Sequence, residues 1–545
     1  MKRFLSLLAV LLVFSLCACD APNGDVTDTI APNDTSSAFD TTEPHTDAPS
    51  SAPDTTAPET TAPDTTTTDT ETETAPETEA ETDPACSHAD ADDNGVCDLC
   101  TLSVLVSVDF YSVNDLHGKF FDTDDQPGVD ELTTFLGTMQ ATNPNTVLLS
   151  AGDMWQGSSE SNLTKGLILT DWMNELDFAA MTLGNHEFDW GVDAILANAE
   201  LAEFPILAIN IYERDTNTLA DYCTPSVLID KGEVQIGIIG AIGNCYSSIS
   251  ADKVQDYYFV LDDALTKLVK AESEALRAQG ADIIVYTMHD GGGAYDYALS
   301  NGYVDLVFEG HSHQNYVKKD SAGIYHLQGG GDNDGITHAT AKVNSVTGTV
   351  IVTTAEYMPT SRYQSFDDDP IVEQLGEKYA DQLAAGNELL GYNAQKRYSE
   401  QILQKVADLY LAYGQQRWGE QYNIVLGGGF LSARSPYDLD KGEVYYSDLQ
   451  MILPFDNQIQ LCSIKGSELL SKFINTSNNR YYISLSDYGT DIKNSIDKNA
   501  TYYIITDTYC SSYAPNRLTV IDTYDQTTFA RDLIADYIKD GNWSK

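Results

Sequence analysis

The sequence predicts an α/β protein, and three of its features carry that expectation. Apolar runs of strand length recur from residue 101 onward. Helical stretches lie between several of them. Most of the runs are followed at once by Gly together with Asp, Asn or His. Strands that alternate with helices predict sheets covered by helices. The expected strands are 104–110, 147–150, 179–183, 206–208, 234–240, 283–288 and 304–308, and the clearest helix is 261–279. Near residue 360 the character shifts. Ile371, Leu375, Tyr379 and Leu383 recur every four residues, one face of a helix. This sets a linker helix within 361–392, between a first domain at 101–360 and a second, Tyr-rich α/β domain at 393–545.

The chain before residue 101 is of another kind. Residues 1–19 read as an export signal: Lys2 and Arg3 precede an apolar stretch too short to span a membrane as a mature helix. The segment ends Leu16-Cys17-Ala18-Cys19, which resembles a bacterial lipobox. That resemblance implies a lipid on Cys19 and a protein held at the extracellular face of a bacterial cell membrane; the alternative is an ordinary cleaved signal. Residues 20–85 repeat Thr, Asp, Glu, Pro, Ala and Ser and contain no Lys or Arg. Such a composition cannot bury enough apolar area to fold and predicts a disordered, extended stalk. Residues 86–100 form a separate small motif. Cys86, His88, Cys97 and Cys100 have zinc-like spacing, while Asp90, Asp92, Asn94 and Gly95 imitate the first half of a calcium loop whose closing Glu is replaced by Thr101. The expectation there is zinc or calcium, with a disulfide as the competing reading. Cys223, Cys245, Cys462 and Cys510 are dispersed, and their pairing stays open.

Charge narrows the function classes. Over 545 residues there are 83 acidic and 30 basic side chains, a formal net charge of −53. A basic surface for a nucleic-acid polymer is excluded. The length excludes a small disulfide-stapled module.

The chemistry is concentrated at the strand ends. They carry Asn114-Asp115-Leu116-His117-Gly118, Gly152-Asp153, Gly184-Asn185-His186-Glu187-Phe188-Asp189, His289-Asp290-Gly291 and Gly310-His311-Ser312-His313. Sites in α/β folds gather at the carboxyl ends of strands. Of nine histidines, 117, 186, 289, 311 and 313 fall in these motifs, and His338 lies near them in sequence. Mixed His, Asp and Asn donors suit divalent Zn, Mn, Fe or Co. Two metals held close together need a shared anion, and Asp153 is the natural bridging carboxylate. A single G-D or D-x-H is usually a turn, but five in series after strands are not.

The series D-x-H-G, G-D, G-N-H-E-F-D, H-x-G and G-H-x-H resembles the calcineurin-like metallophosphatases. More narrowly, it resembles the secreted 5′-nucleotidase, UDP-sugar hydrolase and 2′,3′-cyclic phosphodiesterase family. The resemblance implies a four-layer αββα sandwich with a dinuclear centre. Asp115, His117, Asp153 and His313 would hold one divalent ion, and Asp153, Asn185, His289 and His311 the other. His186, oriented by Asp189, would form the catalytic dyad. In the second domain Gly427-Gly428-Gly429 with Arg434, Pro454-Phe455-Asp456-Asn457, and Arg397 with Glu400 are similar to the family's substrate segments. Arg397, Arg434, Phe455, Asn457 and Tyr509 (or Tyr513) are therefore the expected substrate contacts. Three departures bear on the nucleoside part: Leu426 stands where the family has Asn, Leu431 where it has Arg, and residues 508–515 lack its G-G-D-G-Y-like run, while Pro454-Phe455-Asp456-Asn457 stands for its P-F-G-N. The implied activity is metal-dependent hydrolysis of nucleotide phosphate esters, nucleoside monophosphate to nucleoside plus phosphate. The alternatives are a cyclic-nucleotide phosphodiesterase or UDP-sugar hydrolase and, more remotely, a non-catalytic surface binding protein.

An acidic body repels an anionic substrate, and salt screens that repulsion. Initial rates on a nucleoside monophosphate are expected to rise with moderate salt or added divalent cation. A steep fall across a salt series would contradict this.

Overall fold

The computed structural model describes residues 86–123, 127–290, 302–430, 438–474, 481–486, 492–513, 518–524 and 529–543. The expected signal with Cys19, the stalk, Leu431 and Arg434 lie outside the described residues. Thr82–Lys545 form one compact unit.

Two six-stranded sheets make the first lobe. One has the order Val350–Pro359, Gly335–Asn344, Leu105–Val113, Val147–Ser150, Ala180–Thr182, Ile206–Leu207. The other has the order Asn315–Lys319, Tyr325–Gly329, Leu306–Glu309, Ile283–His289, Gln235–Ile242, Ser226–Asp230. In the first sheet the pairs from Leu105–Val113 to Ile206–Leu207 are parallel and the two at the Val350–Pro359 end antiparallel; in the second, the central pairs are parallel and both outer pairs antiparallel. Alternation explains the layering. Val106, Val108 and Phe110 of the first strand point between the sheets, where they meet Ile238, Val285 and Phe308 of the other sheet. The Phe110 and Phe308 rings lie 6.4 Å apart across that seam. Tyr111 and Val113 point the other way, into a core built with helices Asp130–Thr142, Leu167–Glu175 and Val192–Leu201. Helix Asp262–Ala278 covers the second sheet through Leu265, Val269 and Leu276. The result is a four-layer αββα sandwich.

The expected elements are displaced only at their ends. The run at 147–150 is a strand to the residue, whereas the run at 304–308 begins pairing only at Leu306, opposite Val285. The linker at 361–392 is not one helix. Pro370–Lys378 is followed by Ala380–Leu383 and a tight turn at Ala384–Asn387. Tyr379 is buried where the first piece ends, and its hydroxyl donates to Asp171 at 2.6 Å. The segment is thus seated on helix Leu167–Glu175.

The second lobe is a mixed five-stranded sheet in the order Tyr481–Leu485, Ile424–Phe430, Thr501–Asp507, Ile459–Lys465, Thr519–Thr523, with helix Ser399–Trp418 lying on it. The glycine run has a packing reason: a Cβ at Gly427 would stand 2.3 Å from the Leu411 backbone nitrogen of that helix. Cys223, Cys245, Cys462 and Cys510 are buried, and among the described residues none of them is in a disulfide. Among the described residues no helix is long and apolar enough to cross a membrane.

His338 does not join the strand-end motifs. It sits within strand Gly335–Asn344, with Nδ1 3.2 Å from Glu356 and Nε2 3.2 Å from Asp109, and its ring stacks on Tyr111 at 4.4 Å. Burial opposes its charge, but the two carboxylates outweigh burial and raise it above the usual histidine value. Asp109, hydrogen-bonded to His338, is held at about 2. A raised histidine stabilises the fold below its unfolded value and loses that contribution as pH rises through the folded one. The depressed Asp109 contributes above the ordinary carboxylate range and loses it on acidification towards about 2. His338→Gln is therefore expected to cost about 1–2 kcal/mol near pH 5–6, with the difference shrinking in alkali. Denaturant unfolding at the two pH values measures it.

Candidate active site

Each strand-end motif turns sharply once its strand ends. Asp115, His117, Asp153, His311 and His313 all have φ between 49° and 76°. Left-handed backbone costs roughly 1–2 kcal/mol per residue outside glycine. Five such residues in one place mark loops held for what their side chains reach.

The two sheets deliver these side chains to one point. Asp115, Asp153 and Asn185 follow strands of the first sheet, and His289 and His311 end or follow strands of the second. Asp115, His117 and His313 offer ligand atoms within 4.8 Å of one another, as do Asp115, Asp153 and His289, and again His117, Asp153 and His186. The closest separations are 2.9 Å between the Nε2 atoms of His117 and His313, 3.0 Å from His289 Nε2 to Asp153 Oδ2, and 3.5 Å from His313 Nε2 to Asp115 Oδ1. His311 belongs to the same cluster through His289, their ring centroids 5.5 Å apart. Its backbone N–H donates to Asp115 Oδ2 at 2.8 Å.

The donor set fits divalent cations. His289 Nδ1 lies 2.7 Å from the Ala151 carbonyl and His117 Nδ1 3.1 Å from that of Gln156. Carbonyls accept only from a protonated Nδ1, so each Nε2 lone pair is left for a cation. Asn185 Oδ1 is buried without a hydrogen-bond donor. His289 Nε2 likewise makes no well-aligned hydrogen bond despite its nearness to Asp153. Asp115 and Asp153 are fully buried, and burial opposes both charges. At Asp153 the attraction of His289 and His186 overcomes burial and holds the carboxyl well below the usual range; at Asp115 burial wins and raises it. Burial likewise opposes the His289 charge, but Asp153 outweighs it and carries the imidazole to about 10. His311 is pushed down to about 4 by burial and by His289.

The pair His186 and Asp189 is joined by a 2.7 Å contact from Nδ1 to Oδ2. The His186 ring meets His117 edge-on at 5.2 Å and lies near-parallel to Phe455 at 6.0 Å. A cleft of about 340 Å³ opens here between the lobes. Its metal-side wall includes His117, Asn185, His186 and His311, and its far wall Phe455, Asn457 and Tyr509. Tyr509 stacks on Tyr513 at 6.0 Å, and burial raises its hydroxyl to about 12.

Arg397 is not brought to the cleft. Its guanidinium donates to the Trp543 carbonyl at 2.8 Å and to Asn393 Oδ1 at 3.2 Å, and it lies over the Trp543 ring. It ties the chain end to the second lobe.

Three further residues matter that the sequence motifs did not single out. Glu187 is fully buried, and its carboxylate accepts the backbone N–H groups of Asp153, Met154, Trp155 and Gly184 at 2.7–3.3 Å. It knots the Asp153 loop to the Asn185 loop. Contact there is so close that a Cβ on Gly184 would stand 2.2 Å from Asp153 Oδ1. Arg531 is buried, pairs with Asp456 and donates to the carbonyls of Pro454 and Phe455. It fixes the loop that presents Phe455, which explains Asp where the resemblance leads one to expect Gly. Lys253 lines the cleft. A Glu beside Phe188, inside the G-N-H-E-F-D run, was the only one of these signals visible in the sequence.

Residues 109–315 match the family described as calcineurin-like phosphoesterase. The chain is 34% identical over 215 residues to an apyrase of Tabanus yao, a stretch covering 37% of this chain and 38% of the apyrase. The chain thus spans well under half of that relative's length. It is 26% identical over 397 residues to a snake venom 5′-nucleotidase of Naja atra, covering 65% of this chain and 73% of the venom protein. A solved 5′-nucleotidase precursor from Thermus thermophilus superposes with a TM-score of 0.62 at 18% identity, over 80% of this chain and 96% of that one. At that identity the likeness is one of fold.

Glu187→Gln replaces one acceptor oxygen by a donor and faces it with backbone N–H groups. The expected cost is about 1–3 kcal/mol of stability, together with roughly 10–100-fold weaker metal binding. Thermal unfolding and a chelator titration measure the two effects separately.

Proposed function

We propose, from the match of residues 109–315 to the calcineurin-like phosphoesterases, that this chain hydrolyses phosphate esters of nucleotides, with nucleoside monophosphates as the principal substrates. One observation carries the reading. The cluster of Asp115, His117, Asp153, Asn185, His289, His311 and His313 shares a single cleft with the His186–Asp189 pair and with Phe455, Asn457 and Tyr509 of the second lobe. A phosphate held at the first wall would leave a base within reach of the second.

The residues divide the work. Asp115, His117, Asp153 and His313 would hold one divalent ion, and Asp153, Asn185, His289 and His311 a second. Such ions polarise phosphoryl oxygens and make water acidic enough to attack near neutral pH. Asp189 fixes the His186 ring through Nδ1, which leaves Nε2 to carry a proton in the cleft. That proton either stabilises charge developing on a phosphoryl oxygen or passes to the departing sugar oxygen. Lys253 adds a positive charge at the rim. Phe455 offers an aromatic face to a base, Tyr509 stands on the same wall, and the Asn457 amide is placed for a base edge. Residues 1–19 read as a lipoprotein signal extend the proposal to a surface-held enzyme acting on external nucleotides.

The test is a substrate panel on the purified chain: nucleoside monophosphates, cyclic nucleotides, nucleotide sugars and a simple aryl phosphate. Chelation and Asp153→Ala are expected to abolish phosphate release. His186→Ala is expected to lower kcat by about 10²–10⁴-fold. Phe455→Ala is expected to raise KM for nucleotides by the ~1–3 kcal/mol of a lost base stack while sparing the aryl phosphate. Equal turnover of aryl phosphate and nucleotide, with no effect of Phe455→Ala, would refute the nucleotide part.

A further inference from the structure

The motif at residues 86–100 is not used by the chemistry above, and its geometry is that of a second metal site. We propose that Cys86, His88, Cys97 and Cys100 form a structural zinc site that clamps residues 86–100 to the first sheet, remote from the active centre.

The four ligand atoms converge. Cys86 Sγ and Cys97 Sγ are 3.7 Å apart, Cys100 Sγ and His88 Nδ1 are 3.4 Å apart, and all four lie within 4.8 Å of one another. A tetrahedral ion with Zn–S near ~2.3 Å and Zn–N near ~2.0–2.1 Å sets sulfur–sulfur edges of ~3.8 Å and sulfur–nitrogen edges of ~3.6 Å. The two closest separations are therefore tetrahedron edges, and the sulfur pair is far from the ~2.05 Å of a bond. Three thiols with one imidazole form a soft donor set of the kind structural zinc takes. The backbone N–H of Ala89 also donates to Cys97 Sγ at 3.4 Å, which supports negative charge on that sulfur.

The acids of the calcium-like half serve the fold. Asp90 accepts the N–H groups of Asn94 and Gly95 at 3.0 and 2.8 Å and the Asn344 amide at 2.6 Å. Asp93 accepts from Asn344 at 2.9 Å and from the Thr347 hydroxyl at 2.8 Å. Asp92 takes the Asn94 side chain. Asp90 and Asp93 glue the motif to the turn that joins strands Gly335–Asn344 and Val350–Pro359. Asn344 is buried in that joint.

Position separates this site from catalysis. Asn344 pairs with Leu105 at the start of strand Leu105–Val113, while Asp115 follows the end of that strand. Nine strand residues at about 3.3 Å each set the two sites roughly 30 Å apart.

Cobalt reports the site without recourse to activity. The full chain is stripped with chelator and reloaded with Co²⁺ alone. Three thiolates are expected to give intense sulfur-to-cobalt charge-transfer bands in the near ultraviolet, which Asp, Asn and His ligands do not produce. Cys97→Ser/Cys100→Ser is expected to lose those bands and one equivalent of bound zinc, with turnover of an aryl phosphate unchanged. Because that variant could misfold locally, alkylation of the wild-type chain gives a second reading: Cys86, Cys97 and Cys100 are expected to be protected by zinc and exposed by chelation. A disulfide among them in the non-reduced protein, thiolate bands that survive the double substitution, or alkylation unaffected by zinc would each overturn the proposal. None of these readouts depends on the chain being a nucleotidase.

Discussion

Two carboxylates buried side by side are the constraint to which the rest of the first lobe answers. Asp115 and Asp153 are removed from water, and like charges in a low-dielectric interior repel strongly. They persist because imidazoles and backbone N–H groups are brought in from both sheets. His289 comes from the second sheet and His117 and His186 from the first, while the backbone N–H groups of His186 and His311 point into Asp153 and Asp115. The spacing of the sheets therefore sets the width of the site. Phe110 against Phe308, deep in the apolar seam, belongs to the same construction as Asp153 near His289 at its rim.

The strain of the strand-end loops follows from the same demand. A strand delivers a side chain along its pleat, yet these side chains must turn back over the sheet ends. The left-handed backbone at Asp115, His117, Asp153, His311 and His313 achieves that turn within a residue or two. Loops so bent expose N–H groups that no helix or ladder can satisfy. The Glu187 carboxylate takes four of them at once, and it does so from inside the protein, where burial and Asp153 together raise its carboxyl to about 7. A buried acid beside a second acid is unfavourable alone. It is tolerable here because its hydrogen bonds hold the geometry that a metal would stabilise.

How far the sequence could be read follows the range of each interaction. The strands and their terminal ligands were legible because a strand end and its ligand are neighbours in the chain. The Cys and His of residues 86–100 were legible for the same reason. His338 was misleading because nearness in sequence to a motif says nothing of direction; it sits mid-strand, paired with Asp109 and Glu356. Arg397 matched a local pattern, but its partner Trp543 is 146 residues away. Arg531, Lys253 and the many-armed role of Glu187 depend on backbone atoms and surfaces that only the folded chain assembles. The divided linker shows the same limit: its four-residue spacing was correct, and the seat on Asp171 that ends it could not be seen.

The second lobe makes sense of an otherwise awkward charge balance. A chain of net charge −53 gains no long-range attraction for an anion, so recognition has to be made at contact. Contact is where the fold supplies opposite character. Imidazoles and Lys253 line the cleft together with uncharged Phe455, Asn457 and Tyr509 of the second lobe. Arg531 spends its own charge on Asp456 and two carbonyls, so it stiffens the Phe455 loop and is not itself a free anchor for a phosphate. An aromatic face held rigidly loses little entropy when it stacks. On the proposed function the cleft thus divides two tasks, charge from its imidazoles and shape from Phe455 and Tyr509, and an acidic body suits the proposed anionic substrate because neither task relies on the field of the whole molecule.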